Sequence, residues 1–243
     1  MRFNLIILFS LMLLVSCGEY GNPFVDDFNE VKIKSQTKYS ANPETSSLEY
    51  KIYEKYFNES GELGSVLYFD KNSNKVAESQ FEYSYNTKNE LYIKYDGSGD
   101  TLSITNKNFK LNDQGQVLSI EVYSNGELKE RSDLEYNNNG NISAEKVIGN
   151  DGLIHEKKYE YNYNHKGDLE LIFTRDEKSG EIIQKDSLVY SSNKLEMISY
   201  NREGKISHIH QLNCDENGLI IKEQLINANE KVIELYIYQY TFY

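Results

Sequence analysis

Apolar and polar residues alternate along most of the chain after residue 48. In the stretch Tyr159–Tyr163, tyrosines take every second position, and Glu160 and Asn162 lie between them. A period of two is typical of a β-strand with one buried face. The connections between these segments are too short for parallel crossovers, so each strand is expected to pair antiparallel with the next. The pattern predicts an all-β fold, a single antiparallel β-meander of about 14–15 strands.

The predicted turns recur at intervals of about 26 residues, in seven units that hold two turns each. All of them are Gly or Asn, which tolerate a positive φ at little cost. The first series is Gly61, Asn89, Gly115, Gly140, Gly167, Asn193 and Gly218. The second series is Asn74, Gly99, Gly126, Gly152, Gly180, Gly204 and Asn229. Side chains three places before the first series are predicted to cap the turns: Asn58, Asn86, Asn112, Asn137, Asn164 and Asp215.

One turn shows the motif of the repeat in full. The segment Tyr136–Ile142 reads aromatic, Asn, two spacers, Gly, one spacer and an apolar residue. This motif resembles the YD or RHS type of repeat, with Asn in place of the usual Asp in most units, and it covers about residues 49–243. In that family the sheets wrap into shells or tubes, and related short envelope lipoproteins of unknown function are described as porin-like barrels. The resemblance implies an architecture and no activity.

The closure of such a sheet depends on which face is apolar. A round barrel of about fifteen strands encloses a wide lumen, which an apolar face cannot line unfilled. We therefore expect a meander rolled into a flattened, barrel-like sheet, with an open curved single sheet as the alternative. Turning the apolar face to lipid is disfavoured, because Lys129–Asp133 and Lys157–Lys158 place charges on both faces of their strands.

The first residues resemble the start of a bacterial lipoprotein. Arg2 precedes an apolar run, Leu5–Val15, that is shorter than a membrane-spanning helix. The run leads to Leu14-Val15-Ser16-Cys17, which is similar to a lipobox. The resemblance implies a signal peptide at 1–16 and an acylated Cys17. The protein is then extracytoplasmic and lipid-anchored in the bacterial cell envelope, with the outer membrane expected and its periplasmic or surface face left open.

Composition adds a tether and limits the partners. Residues 17–47 are polar and contain both prolines, so we expect an acylated Cys and a tether there, with one strand near Val31–Lys34, followed by the repeat domain at 48–243. The chain has 26 basic and 38 acidic residues, a net charge of -12, which disfavours nucleic acid as a partner. The expected partners are the membrane, through Cys17, and an envelope protein or glycan. Cys214 is left without a cysteine for a disulfide.

Few residues suggest chemistry. His208 and His210 are two apart, hence on one face of a strand, but a third metal ligand cannot be named. Asp96 and Asp100 resemble the start of a calcium loop, yet Lys107 stands where an EF-hand needs Glu. Both are weak metal candidates. The favoured interpretations are a histidine pair at the edge of the core and a glycine-rich hairpin turn. We expect no metal, no cofactor and no catalytic site.

The sequence therefore predicts a non-catalytic cell-envelope lipoprotein that acts as a binding or scaffold module for a protein or glycan. One alternative is an immunity-type inhibitor of a basic toxin, because an acidic surface steers association with a cationic partner. Another is a carboxylate-dependent hydrolase, which would need two carboxylates within reach of each other on adjacent strands.

Overall fold

The computed structural model describes residues 32–243, which form sixteen β-strands. Within these residues no helix is long and apolar enough to cross a membrane. The strands are β1 Ile33–Ala41, β2 Leu48–Phe57, β3 Leu63–Phe69, β4 Lys75–Ser84, β5 Thr87–Tyr95, β6 Thr101–Leu111, β7 Val117–Ser124, β8 Glu127–Tyr136, β9 Ile142–Gly149, β10 Gly152–Tyr163, β11 Leu169–Asp176, β12 Ile182–Ser191, β13 Lys194–Tyr200, β14 Ile206–Cys214, β15 Ile220–Asn227 and β16 Val232–Phe242.

The sheet is a closed barrel in which every strand pairs antiparallel with its neighbour in sequence. The first and last strands complete the circle, with Ser35 opposite Thr241 and Ser40 opposite Tyr236. The all-β antiparallel meander is thus present, but its closure corrects the prediction. The flattened, barrel-like roll and the open curved sheet are both wrong, and the strands number sixteen rather than about 14–15.

Strand β1 lies inside the segment that the sequence indicated as a tether, residues 17–47. Its inconspicuous sequence explains the difference, because small hydroxyl residues rather than large apolar ones are buried there. Ser35 and Thr37 are both buried, and Ser35 Oγ lies 2.8 Å from Thr241 Oγ1 on β16. A polar strand of this kind escapes a search for alternating hydrophobic residues.

The hairpin turns have one recurrent design, illustrated between β8 and β9. Gly140 has a φ of +78°, and its N–H donates to Asn137 O over 2.9 Å. Asn137 Oδ1 accepts hydrogen bonds from the N–H groups of Asn139 and Asn141, both at 3.0 Å. The register shifts at Tyr136, as in a turn followed by a glycine bulge. The predicted capping is confirmed in this and four other turns, at Asn58, Asn112, Asn164 and Asp215.

The glycines among the repeat-turn residues all have a positive φ: Gly61, Gly99, Gly115, Gly126, Gly140, Gly152, Gly167, Gly180, Gly204 and Gly218. The asparagines behave differently. Asn74 and Asn229 lie beside the positive-φ residues Ser73 and Glu230, and Asn193 lies in the loop between β12 and β13. Asn89 lies inside β5, because the preceding loop is only two residues long and the strand begins at Thr87.

The interior of the barrel is part apolar and part charged. Buried residues occupy alternate positions in β1, β4, β11 and β14, and residues opposite each other in register share a face. The buried apolar side chains include Val66, Phe109, Leu134, Tyr159 and Ile172. Between them lie the buried polar residues Ser79, Glu90, Asp186, Ser199, His210 and Glu223. A wholly apolar lining would have disfavoured closure, whereas polar side chains that bond to one another permit it.

Candidate functional site

The most heavily bonded inner residue is Glu223 on β15. Lys38 Nζ of β1 lies 2.7 Å from its Oε2, and His210 Nε2 of β14 lies 2.8 Å from its Oε1. The hydroxyl of Tyr238 on β16 also donates to this carboxylate. Burial disfavours the charged form, but the hydrogen bonds and the Lys38 charge outweigh burial and lower the pKa of Glu223 to about 2. Glu223 is therefore an ionised group whose oxygens are fully occupied.

Burial also shifts the pKa values of two tyrosines and one lysine of this inner cluster. Burial raises the pKa of Tyr53 and of Tyr238 well above the usual tyrosine value. Burial, with repulsion from Lys38 and Lys88, lowers the pKa of Lys55 to about 8. The tyrosines thus remain hydrogen-bond donors. At neutral pH the lysine is a cation whose charge is disfavoured by burial.

Two other inner carboxylates have their own partners on neighbouring strands. Glu90 on β5 accepts hydrogen bonds from Ser79 Oγ at 2.6 Å and from Lys107 Nζ at 2.9 Å. Asp186 on β12 accepts from Ser199 Oγ at 2.5 Å and from Gln184. Burial raises the pKa of Asp186, and these two hydrogen bonds oppose the rise only in part. These arrangements tie strands together and leave the carboxylates no oxygen aimed at a substrate.

The two histidines proposed as metal ligands, His208 and His210, form hydrogen bonds with other side chains of the protein. His210 pairs with Glu223, while His208 Nδ1 lies 2.9 Å from Ser207 Oγ. Burial, together with the neighbouring His210, lowers the pKa of His208. Among residues 32–243 no three His, Cys, Asp or Glu side chains are grouped to hold a metal ion. Cys214 ends the same strand at a half-buried position.

The glycine-rich turn between β5 and β6 is built by hydrogen bonds within itself. Asp96 Oδ1 accepts from Ser98 Oγ at 2.7 Å and from the N–H groups of Ser98 and Asp100 at 2.9 and 3.0 Å. These bonds lower the pKa of Asp96, the Ser98 hydroxyl contributing most. Asp96 is a turn cap, like Asn137 elsewhere.

The proposed lipidation residue, Cys17, lies outside the described residues.

An open cavity of about 450 Å³ lies over strands β4–β7. Two rows of side chains cross these strands in register on the outward face. One row is Gln80, Leu91, Asn106 and Tyr123, and the other is Glu82, Asn89 and Asn108. We name the surface formed by these seven residues the amide groove. The cavity lining also includes Gly126 and Glu90, whose carboxylate is bonded to Ser79 and Lys107.

Three of the four amides of this groove are free for a ligand, whereas Gln80 Nε2 donates to Glu78 Oε1 over 3.3 Å. Asn89, Asn106 and Asn108 are exposed, and within the described part of the chain no hydrogen bond engages their side chains. The Tyr123 hydroxyl donates to Glu121 Oε2 over 2.9 Å. The asparagines that cap turns, by contrast, use their side-chain oxygens on the backbone. The groove can therefore offer donors and acceptors without losing an internal bond.

Sequence reasoning missed this groove. The regular spacing of the repeat assigned Asn89 to a turn, and Asn106 and Asn108 drew no attention. A usable signal was present, because Asn is depleted in strands and two of them alternate within β6. Only the register of four strands, however, brings the two rows together.

No family model and no curated protein matches the sequence. Solved structures with a similar course of the chain include a porin-like protein from Bacteroides uniformis, at 8% identity, covering 86% of this chain and 96% of that chain with a TM-score of 0.37. A porin-like protein from Bacteroides vulgatus has 8% identity, 87% and 99% coverage and a TM-score of 0.41. A Bacteroides fragilis protein with a YmcC-like fold has 11% identity, 86% and 95% coverage and a TM-score of 0.23.

Proposed function

We propose that the protein is a non-catalytic binding module of the bacterial cell envelope, which presents the outer face of a rigid barrel to a protein or glycan partner. The observation that carries the proposal is the amide groove, where exposed side chains with hydrogen-bonding capacity line a cavity of about 450 Å³. A concave site with a few convergent polar groups is the usual form of a ligand site.

The inner face has hydrogen-bonded carboxylates and the outer face has unengaged amides, and this difference supports binding rather than catalysis. On the inner face Glu90 and Asp186 each have a hydrogen-bond donor on a neighbouring strand, and Glu223 is bonded to His210 on the neighbouring β14 and to Lys38 on β1. On the outer face Asn89, Asn106 and Asn108 of the groove have no side-chain hydrogen bond among the described residues. Side chains on strands are also held more precisely than those on loops, which suits a site that recognises a fixed shape.

The proposal includes an anchor at Cys17, supported by the lipobox-like residues before it. A lipidated Cys17 would hold the barrel at a membrane through the residues that precede β1. The groove would then meet partners of the same envelope at high local concentration. The net charge of -12 favours partners that are not anionic.

Crosslinking in living cells tests this function. The native chain should capture a defined envelope partner, and the Cys17→Ala variant should lose it because the barrel is no longer held at the membrane. Washes at low and at moderate salt separate the partner classes: capture that fails at moderate salt indicates a basic protein, as an immunity-type inhibitor would bind. Turnover of envelope glycans or peptides by the purified chain would contradict a non-catalytic role.

A further inference from the structure

We infer that the amide groove binds a neutral oligosaccharide. The inference rests on the proposed function and specifies the ligand of that same surface. The occupant is a short chain of uncharged sugars laid across strands β4–β7.

The chemistry of the lining matches sugar hydroxyls. Each side-chain amide carries two N–H donors and a carbonyl acceptor, and a hydroxyl both donates and accepts. Asn89, Asn106 and Asn108 supply three such amides within two adjacent rows, and Gln80, whose Nε2 donates to Glu78 Oε1 over 3.3 Å, supplies a fourth. The described residues leave the three asparagine amides without a hydrogen bond. A ligand that bonds to them therefore displaces water and breaks no bond within the protein.

The charges of the groove point to a neutral ligand. Its lining contains the Glu82 carboxylate and no Lys or Arg, while Glu90, which also belongs to the lining, directs its carboxylate to Ser79 and Lys107 on the inner face. Lys107, the nearest basic residue in register with Glu90, is bonded to that carboxylate. Among the lining residues, phosphate, sulfate and uronic acid groups would therefore meet the Glu82 carboxylate and no cation.

The dimensions and stiffness of the surface suit an extended ligand. The row from Gln80 to Tyr123 crosses four hydrogen-bonded strands, about 14 Å at the usual strand spacing. Tyr123 at one end can place an aromatic ring against the C–H face of a sugar. All four strands lie within the closed barrel, so the spacing of the amides is fixed before binding.

Two other ligand classes fit the surface less well. An extended peptide would bind by adding a strand to a free sheet edge, and the closed barrel offers none within the described residues. An acyl chain needs an apolar channel, whereas Leu91 and Tyr123 are the apolar side chains of the lining. Alternating amides across rigid strands favour the sugar.

Titration of the full-length chain tests the inference. The protein is kept in a detergent without a sugar headgroup and titrated with short oligomers of glucose, mannose, galactose and N-acetylglucosamine, each beside its sulfated form. Binding is read by saturation-transfer NMR and calorimetry. The variants are Asn106→Ala, Asn108→Ala, Tyr123→Ala and Tyr123→Phe, with Asn162→Ala, an exposed asparagine within β10, as the matched control.

At least one neutral oligomer should bind, its sulfated form should bind less tightly, and Asn106→Ala and Asn108→Ala should each weaken binding about tenfold. Tyr123→Phe should retain affinity that Tyr123→Ala loses, and Asn162→Ala should change nothing. Circular dichroism melting confirms that each variant folds. Binding of no neutral oligomer, preference for the sulfated forms, or equal loss in Asn162→Ala would overturn the inference. A protein partner captured in cells together with no sugar binding would leave the proposed function standing and remove the glycan.

Discussion

Lys38 Nζ lies 2.7 Å from Glu223 Oε2, although the two residues belong to β1 and β15 and β16 runs between them. The ion pair therefore spans the strand that closes the barrel. Both side chains are nearly buried, at 15% and 11% exposure, so neither charge can rely on water. Closure and inner polarity are thus linked, because the pairing of β1 with β16 that closes the sheet also brings Lys38 to its carboxylate.

Replacing Glu223 by Gln should destabilise the barrel. The substitution keeps the size of the side chain but leaves Lys38 without its anionic partner in a buried site, at a cost of about 3 kcal/mol. Urea unfolding followed by circular dichroism measures the change. Glu203→Gln is the matched control, because Glu203 pairs with Lys205 on the surface, where both are more than 70% exposed, and should change stability little. Equal effects of the two substitutions would contradict a structural role for the inner cluster.

Acid should weaken the protein through the same carboxylate. The pKa of Glu223 is lowered from 4.5 to about 2 in the folded state, so the unfolded chain takes up its proton first as the pH falls. The stabilising contribution is complete above pH 4.5 and is lost as the pH falls towards 2. The unfolding free energy of the native chain should therefore drop more steeply across this window than that of Glu223→Gln. Parallel curves would show that Glu223 has an ordinary pKa in the fold.

Lys55 should respond in the opposite sense. Its folded pKa of about 8 lies below the usual 10.5, so at neutral pH the fold carries a cation that burial penalises. Stability should rise between pH 8 and 10.5, where the folded state has released the proton and the unfolded state has not. Lys55→Met should raise the unfolding free energy at pH 7 by up to about 3 kcal/mol and flatten this rise. Destabilisation at pH 7 would indicate that the ammonium group makes a needed bond.

The hairpin design predicts different costs at two turn glycines. Gly140 has a φ of +78°, so Gly140→Ala forces a side chain into a left-handed conformation and should cost about 1 kcal/mol. Gly97 has an ordinary φ and open space around its Cα, so Gly97→Ala should be neutral or slightly stabilising. Thermal and urea unfolding of the two variants compare them directly. A loss in Gly97→Ala as large as that in Gly140→Ala would contradict the turn assignment.

Most of the strand pattern could be predicted from the sequence, because alternation and turn-forming residues are signals that lie close together along the chain. Glycines such as Gly140 and caps such as Asn137 report the hairpins directly. Closure is not local, since it depends on β1, whose buried Ser35 and Thr37 carry no hydrophobic signal. The amide groove was hidden for the same reason: Asn106 meets its neighbours only through the register of four strands.

The inner polar residues tie the strands of the barrel together, and we expect the amide groove to contact the partner. Site-specific photocrosslinking in living cells tests this most directly, with the photoreactive residue placed at Asn106 in one strain and at Asn162 in another. Both positions are exposed within strands, on β6 and β10. The account predicts a discrete adduct from position 106, suppressed by Asn108→Ala, and none from position 162. Equal adducts from both positions, or an adduct from position 162 alone, would contradict it.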